Sequence, residues 1–249
     1  MEAAVGEVIL RVKEDFVPEL QSQFGDDLKA LILYGSAAGG PFIKGVSDVN
    51  LLVLSGSAHP DGIVALGKNA STVIKKLRLS LHFLTLDEFF NSSDVFPMEY
   101  LDIVQHHELI LGEDPVAQLS LHRDNLRHQV EERLRGSVNA LRQALLASRG
   151  KSKLITELLS DWFGSQTALF RGALRLIEAP EIPTDSRALV QAVAESFGLN
   201  PDGIHSLIDL RENGKDKDPV VAAVETLGFL TALVRKIDSM DSFGKKEES

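Results

Sequence analysis

Two short apolar runs, with small and polar residues between them, constrain this chain more than any other stretch. The first is Ala30-Leu31-Ile32-Leu33, preceded by Lys29 and followed by Tyr34-Gly35-Ser36. The second runs from Val49 to Leu54, is interrupted by Asn50, and ends at Ser55-Gly56-Ser57. Continuous apolar runs of this length, bounded by turn residues, are how strands buried on both faces read. Between them, Gly35-Ser36-Ala37-Ala38-Gly39-Gly40-Pro41 predicts a tight turn feeding a short helix. Glycine lets the backbone approach a ligand closely, and a serine at a helix start offers a hydroxyl beside N–H groups that lack an intrahelical acceptor. Such a place suits a phosphate. Asp48 and Asn50 sit two apart on the second strand, so both point to one face.

A strand, Gly-Ser, a gap of about a dozen residues, then an acidic pair two apart on the next strand: this order resembles the signature of the nucleotidyltransferase superfamily. Its DNA polymerase beta-like members include the kanamycin and streptomycin adenylyltransferases. Gly35-Ser36 and Ser47-Asp48-Val49-Asn50-Leu51-Leu52 carry the resemblance, which covers residues 30–115 and, loosely, the helical remainder. The resemblance implies a triphosphate held on the turn by Gly35 and Ser36; Lys44, in the loop between the motif halves, reads either as a residue that steadies the phosphates or as an exposed loop lysine. It implies Mg²⁺ held by Asp48, by the position of Asn50, and by a third position on a later strand. Asp48 would then be catalytic, the reaction being transfer of a nucleoside monophosphate from a nucleoside triphosphate to a hydroxyl. A helical second half would supply the acceptor pocket.

The chain departs from that pattern at two of three metal positions. Asn50 stands where a second carboxylate is expected, and an amide oxygen brings no charge to offset a cation. The third position belongs on the strand read at Leu77 to Thr85, where alternation puts Arg78, Ser80 and His82 on one face. Neither face carries Asp or Glu, so His82 is the candidate substitute, and imidazole suits Mg²⁺ poorly. Two functions follow: an enzyme if the site is competent, or an inactive relative acting as a nucleotide-binding or interaction module.

Composition narrows the field. The absence of cysteine excludes thiol catalysis, disulfides and thiolate-ligated metals. A formal net charge of −10 argues against nucleic acid as a partner, since backbone contacts need a basic footprint. The stretch Arg123 to Lys153 is the exception, with eight Lys/Arg against three Asp/Glu. No apolar run is long enough to span a membrane, and the acidic start does not read as a signal peptide, so a cytoplasmic protein is expected. A homodimer is left open, and the acceptor is unidentified.

Apolar residues at three- and four-residue spacing from Val5 to Phe24 predict an amphipathic helix with a kink or break at Pro18 and an end at Gly25. A single helix is expected from Ile63 to Leu77. A short helix opens at Leu86, another at Pro97, and a last strand reads at Leu109 to Leu111, stopped by Gly112-Glu113-Asp114-Pro115. His59, beside Pro60, reads as a loop histidine near the mouth of the site. From Gln118 the pattern is helical throughout: Leu119 to Ser148, Lys153 to Glu178, Ser186 to Phe197, Pro201 to Arg211 and Val220 to Ile237. The fold class expected is therefore α+β or α/β: a small mixed-sheet nucleotidyltransferase domain over 1–115, an all-α bundle over 116–240, and a frayed tail over 241–249.

Overall fold

The computed structural model describes residues 2–39, 42, 47–213 and 218–240. Lys44 and the expected tail at 241–249 lie outside them. The chain divides into two compact units, Met1–His122 and Arg123–Ser249. The first extends past Pro115 because Val116, Leu119 and Leu121 pack into one of its cores.

The N-terminal helix is continuous but not uniform. α1 (Glu2–Arg11) passes through a π-helical turn (Val12–Phe16) into α2 (Val17–Phe24). Proline lacks an N–H and crowds the preceding turn, so the chain accommodates Pro18 by widening the helix just before it rather than by breaking it. Gly25, at φ 51°, ends α2.

The two apolar runs form β1 (Leu28–Tyr34) and β2 (Val49–Ser55), joined in part by the single turn α3 (Ser36–Gly39). The expected helix at 63–77 is two helices, α4 (Pro60–Asn69) and α5 (Ser71–Leu77), parted at Ala70. Leu77 and Arg78 are therefore not strand residues. Arg78 adopts a left-handed conformation that ends α5, and β3 begins after it (Leu79–Thr85). Then come α6 (Leu86–Asn91), α7 (Pro97–Gln105) and β4 (His107–Gly112). The sheet order is β3-β2-β1-β4, with β1 antiparallel to both neighbours and β2 parallel to β3.

Both sheet faces are covered, which is why its strands read as continuous apolar runs. Leu31, Leu33, Leu51 and Val53 pack under Val12, Phe16, Leu20 and Phe24. Ile32, Leu52 and Leu54 pack on the other face with Phe89, Tyr100 and Ile103.

The second unit holds α8 (Arg123–Ser148), α9 (Ser152–Leu176), α10 (Ser186–Phe197), α11 (Asp202–Asn213) and α12 (Pro219–Asp238). α8 starts at Arg123 rather than Leu119, after a 3-10 turn at Val116–Gln118. Its buried stripe is Leu126, Val130, Leu134, Val138 and Leu141. Buried Ser137 accepts from the Trp162 indole N–H at 3.0 Å and donates to Gln166 at 2.6 Å, tying α8 to α9. The basic stretch is partly neutralised within itself, since Glu131 accepts from both Arg127 and Arg135 at 2.7 Å.

Candidate functional site

β1 ends and β2 begins at one end of the sheet, and the polar residues of both gather there. Tyr34 lies opposite Asn50 in the antiparallel ladder, and Asn50 lies opposite Ser80 in the parallel one. On the other side Tyr34 faces His107. His107, Tyr34, Asn50 and Ser80 thus form a row across four strands on a single face, because directly paired residues share a face. That face also carries the core of Ile32, Leu52 and Leu54, so the row is the polar rim of an apolar layer.

Gly35 turns the chain out of β1 with φ 74°. A Cβ there would lie 2.9 Å from the Asn50 Nδ2, so a side chain at position 35 is strained by the backbone conformation and would push the Asn50 amide aside. The Gly35 carbonyl accepts from the Ala38 N–H at 3.0 Å and the Gly39 N–H at 3.3 Å, closing α3 as one turn with Ser36 as its first residue. His106, at the end of α7, lies so close over Gly39 that a Cβ there would overlap its ring. Of the triphosphate residues expected from the sequence, Gly35 and Ser36 therefore share one turn.

Asp48 lies one step before the first rung of the β2–β3 ladder, Val49 opposite Leu79, and Arg78 occupies the matching step just before β3. The Arg78 carbonyl accepts from the Val49 N–H at 3.0 Å, and its guanidinium donates to Asp48 Oδ1 at 2.8 Å. The sequence placed Arg78 on a strand and gave it no role. Its contact depends on the left-handed backbone at position 78, which residue alternation does not reveal. His82 lies opposite Leu52, one pleat beyond Asn50, and is exposed.

These residues do not suit a two-metal cage. Such a cage needs several hard anionic oxygens to offset two cations beside a polyphosphate. Here the row supplies the amide of Asn50 and the hydroxyl of Ser80, and the carboxylate of Asp48 already accepts from a guanidinium. Among the described residues no group of three His, Cys, Asp or Glu comes together in a way that could hold a metal ion.

Around the row the charges have structural partners. Asp114, from the Gly-Glu-Asp-Pro turn, accepts from the Val116 N–H at 2.9 Å and meets His107 Nε2 at 3.1 Å. Burial pushes its carboxyl up, but those two hydrogen bonds outweigh it and hold the group below its ordinary range. Burial raises Tyr34, with Asp102 and Glu99 of α7 adding to the shift. His59 is not near this row. It sits at the opposite end of β1 and β2, where its Nε2 meets Asp27 Oδ2 at 2.6 Å and the same oxygen accepts from the Ser57 N–H and hydroxyl. The three form a clip at that end of the sheet, and the hydrogen bond from His59 leads in holding the Asp27 carboxyl below its usual value.

The whole chain is similar in structure to spectinomycin adenyltransferase AAD(9) of Enterococcus faecialis, solved with ATP and spectinomycin, at a TM-score of 0.53 and 13% identity over 93% of this chain and 98% of that one. The fold is nucleotidyltransferase-like. At that identity the likeness speaks for architecture: the mixed sheet and the helical region after it are those of the nucleotidyltransferase-like α+β class. No protein-family model and no curated protein sequence matches the chain. Among the described residues no helix is long and apolar enough to cross a membrane.

Proposed function

We propose that the nucleotidyltransferase-like unit binds a nucleoside triphosphate at the Gly35–Ser36 turn and does not transfer the nucleotide. The observation that carries this reading is the state of Asp48: the lone carboxylate of the motif pairs with Arg78 at 2.8 Å, and its neighbours on the sheet are an amide and a hydroxyl. What supports nucleotide binding is the turn itself, with a left-handed glycine packed on Asn50 and a serine opening the next helical turn. The neighbour of like fold was solved with ATP. Transfer chemistry needs cations to align the attacking oxygen with the phosphorus, and a base to take its proton. Asp48 would meet a cation through the oxygen it does not share with Arg78 or by giving up that pair, and the amide and hydroxyl beside it bring no charge, so one carboxylate would have to serve two cations.

The test pairs binding with turnover. ATP is titrated calorimetrically into the full chain, and pyrophosphate release is followed with ATP, Mg²⁺ and spectinomycin as a trial acceptor. Saturable binding without pyrophosphate release is the expected result. Pyrophosphate release that disappears in Asp48→Ala would overturn the non-catalytic half of the reading, and absence of ATP binding would overturn the other half.

A further inference from the structure

We infer that Arg78 is the cation of this site: its guanidinium, held on Asp48, takes the charge role of a bound metal, so that the polyphosphate chain of a nucleotide binds without any divalent ion. The inference rests on the nucleotide-binding reading above and goes beyond it in naming the residue and the ionic requirement.

Three features point the same way. The first is backbone conformation. Arg78 holds φ 54° and ψ 44° at the end of α5, a position where glycine is the unstrained choice and a side-chain-bearing residue costs about 1–2 kcal/mol. The second is anchoring. The Arg78 N–H donates back to the Lys75 carbonyl at 3.3 Å and its carbonyl accepts from the Val49 N–H at 3.0 Å, so the stem of the side chain is fixed against the start of β2. The third is that stability does not account for the arginine. The Asp48 and Arg78 side chains are 61% and 46% exposed, and an ion pair that open is worth at most about 1 kcal/mol. That gain does not exceed the backbone strain.

The chemistry fits the assignment. A guanidinium presents five donors in a planar fork, and among the described residues Asp48 Oδ1 is the partner that takes one of them. The remaining donors suit phosphate oxygens, which they bind as a fork. Asp48 in this arrangement orients the arginine rather than coordinating a metal. It also carries a negative charge that opposes the ligand, and this gives the proposal a signature no metal site shares.

The experiment measures ATP and inorganic tripolyphosphate affinity by calorimetry, each in excess EDTA and in excess Mg²⁺, for the wild type, Arg78→Gly and Asp48→Asn. Glycine suits the left-handed backbone, so Arg78→Gly removes the guanidinium without strain; circular dichroism of each variant confirms the fold. The inference expects wild-type affinities within about threefold between EDTA and Mg²⁺, and a loss of tenfold or more in Arg78→Gly that Mg²⁺ does not restore. It expects Asp48→Asn to bind as tightly as the wild type or more tightly, since a negative charge beside the phosphates is gone. Binding of ATP only with Mg²⁺, lost in Asp48→Asn, would overturn the inference and leave the nucleotide-binding reading standing. Arg78→Gly affinity equal to wild type overturns it too. Absence of binding to ATP and to tripolyphosphate in every condition removes both readings together.

Discussion

Tyr100 shows how one polar atom in an apolar layer sets a condition on the whole unit. Its side chain is buried between the sheet and α6, its ring stacks on Phe89 at 5.3 Å, and its hydroxyl donates to the Phe89 carbonyl at 2.7 Å. Removing the hydroxyl leaves that carbonyl without its donor, so Tyr100→Phe should destabilise the protein by about 1–3 kcal/mol, read from urea unfolding at neutral pH. Burial also pushes the Tyr100 hydroxyl up to about 12. A group whose folded pKa is raised lends stability that is whole below its unfolded value and is lost as pH climbs through the folded one. Stability should therefore fall from about pH 10 towards 12. Tyr34 is the only other tyrosine and is raised in the same direction, so Tyr100→Phe should flatten part of that fall and leave a remainder. A fall of unchanged depth in the variant would show that Tyr100 does not drive it. Gly35 is a second residue on which the site depends: Gly35→Ala meets both a positive φ and the Asn50 amide, and should lose about 1 kcal/mol along with ATP affinity.

Among the elements, α6 depends most visibly on its cap. The Thr85 hydroxyl accepts from the Glu88 N–H at 3.1 Å while the Glu88 carboxylate accepts from the Thr85 N–H at 2.7 Å and from its hydroxyl at 3.0 Å. This is a reciprocal capping box, and it starts a helix of six residues that brings Phe89 into the core. Thr85→Ala should cost about 1 kcal/mol by chemical denaturation, and Thr85→Ser should recover most of it, because a serine hydroxyl makes the same cap. Those hydrogen bonds hold the Glu88 carboxyl below its ordinary value. The depressed value lends stability above the usual carboxylate range, lost as pH falls through it. The Thr85 N–H leads in that shift and survives in Thr85→Ala, so the test is Glu88→Gln, which should be less sensitive to acid than the wild type between about pH 5 and 3; equal acid sensitivity would refute the assignment. The strands tell a related story: β2 and β3 run parallel, so their connection must cross over the sheet, and α4 and α5 make that crossing. The crossing ends at Arg78, which is why a helix terminus delivers a cation to the motif.

The two units each have a core, and the chain offers a probe that separates them. Trp162 is the only tryptophan and lies in the second unit, within α9. Phe16, fully buried in the first unit, should on change to Ala cost that unit about 3–5 kcal/mol. The prediction is that far-ultraviolet dichroism then shows an early unfolding step while tryptophan fluorescence keeps the wild-type midpoint. A fluorescence midpoint that moves by the same amount would show the units unfolding as one. The sequence by itself determined the elements that depend on local pattern. Apolar runs at 30–33 and 49–54 read as covered strands, Gly35-Ser36 as a tight turn into a short helix, and the 3.6-residue stripe from Leu126 to Leu141 as a packed helix. What only the tertiary structure decided were relations between distant segments. Pairing register set Ser80, not His82, opposite Asn50, and sent His59 to the far end of the sheet to bond Asp27. The left-handed turn at Arg78 put a guanidinium on Asp48 thirty residues away. Periodicity reports which face a residue occupies, but register and backbone handedness arise when strands meet, and they decide which charges share a site.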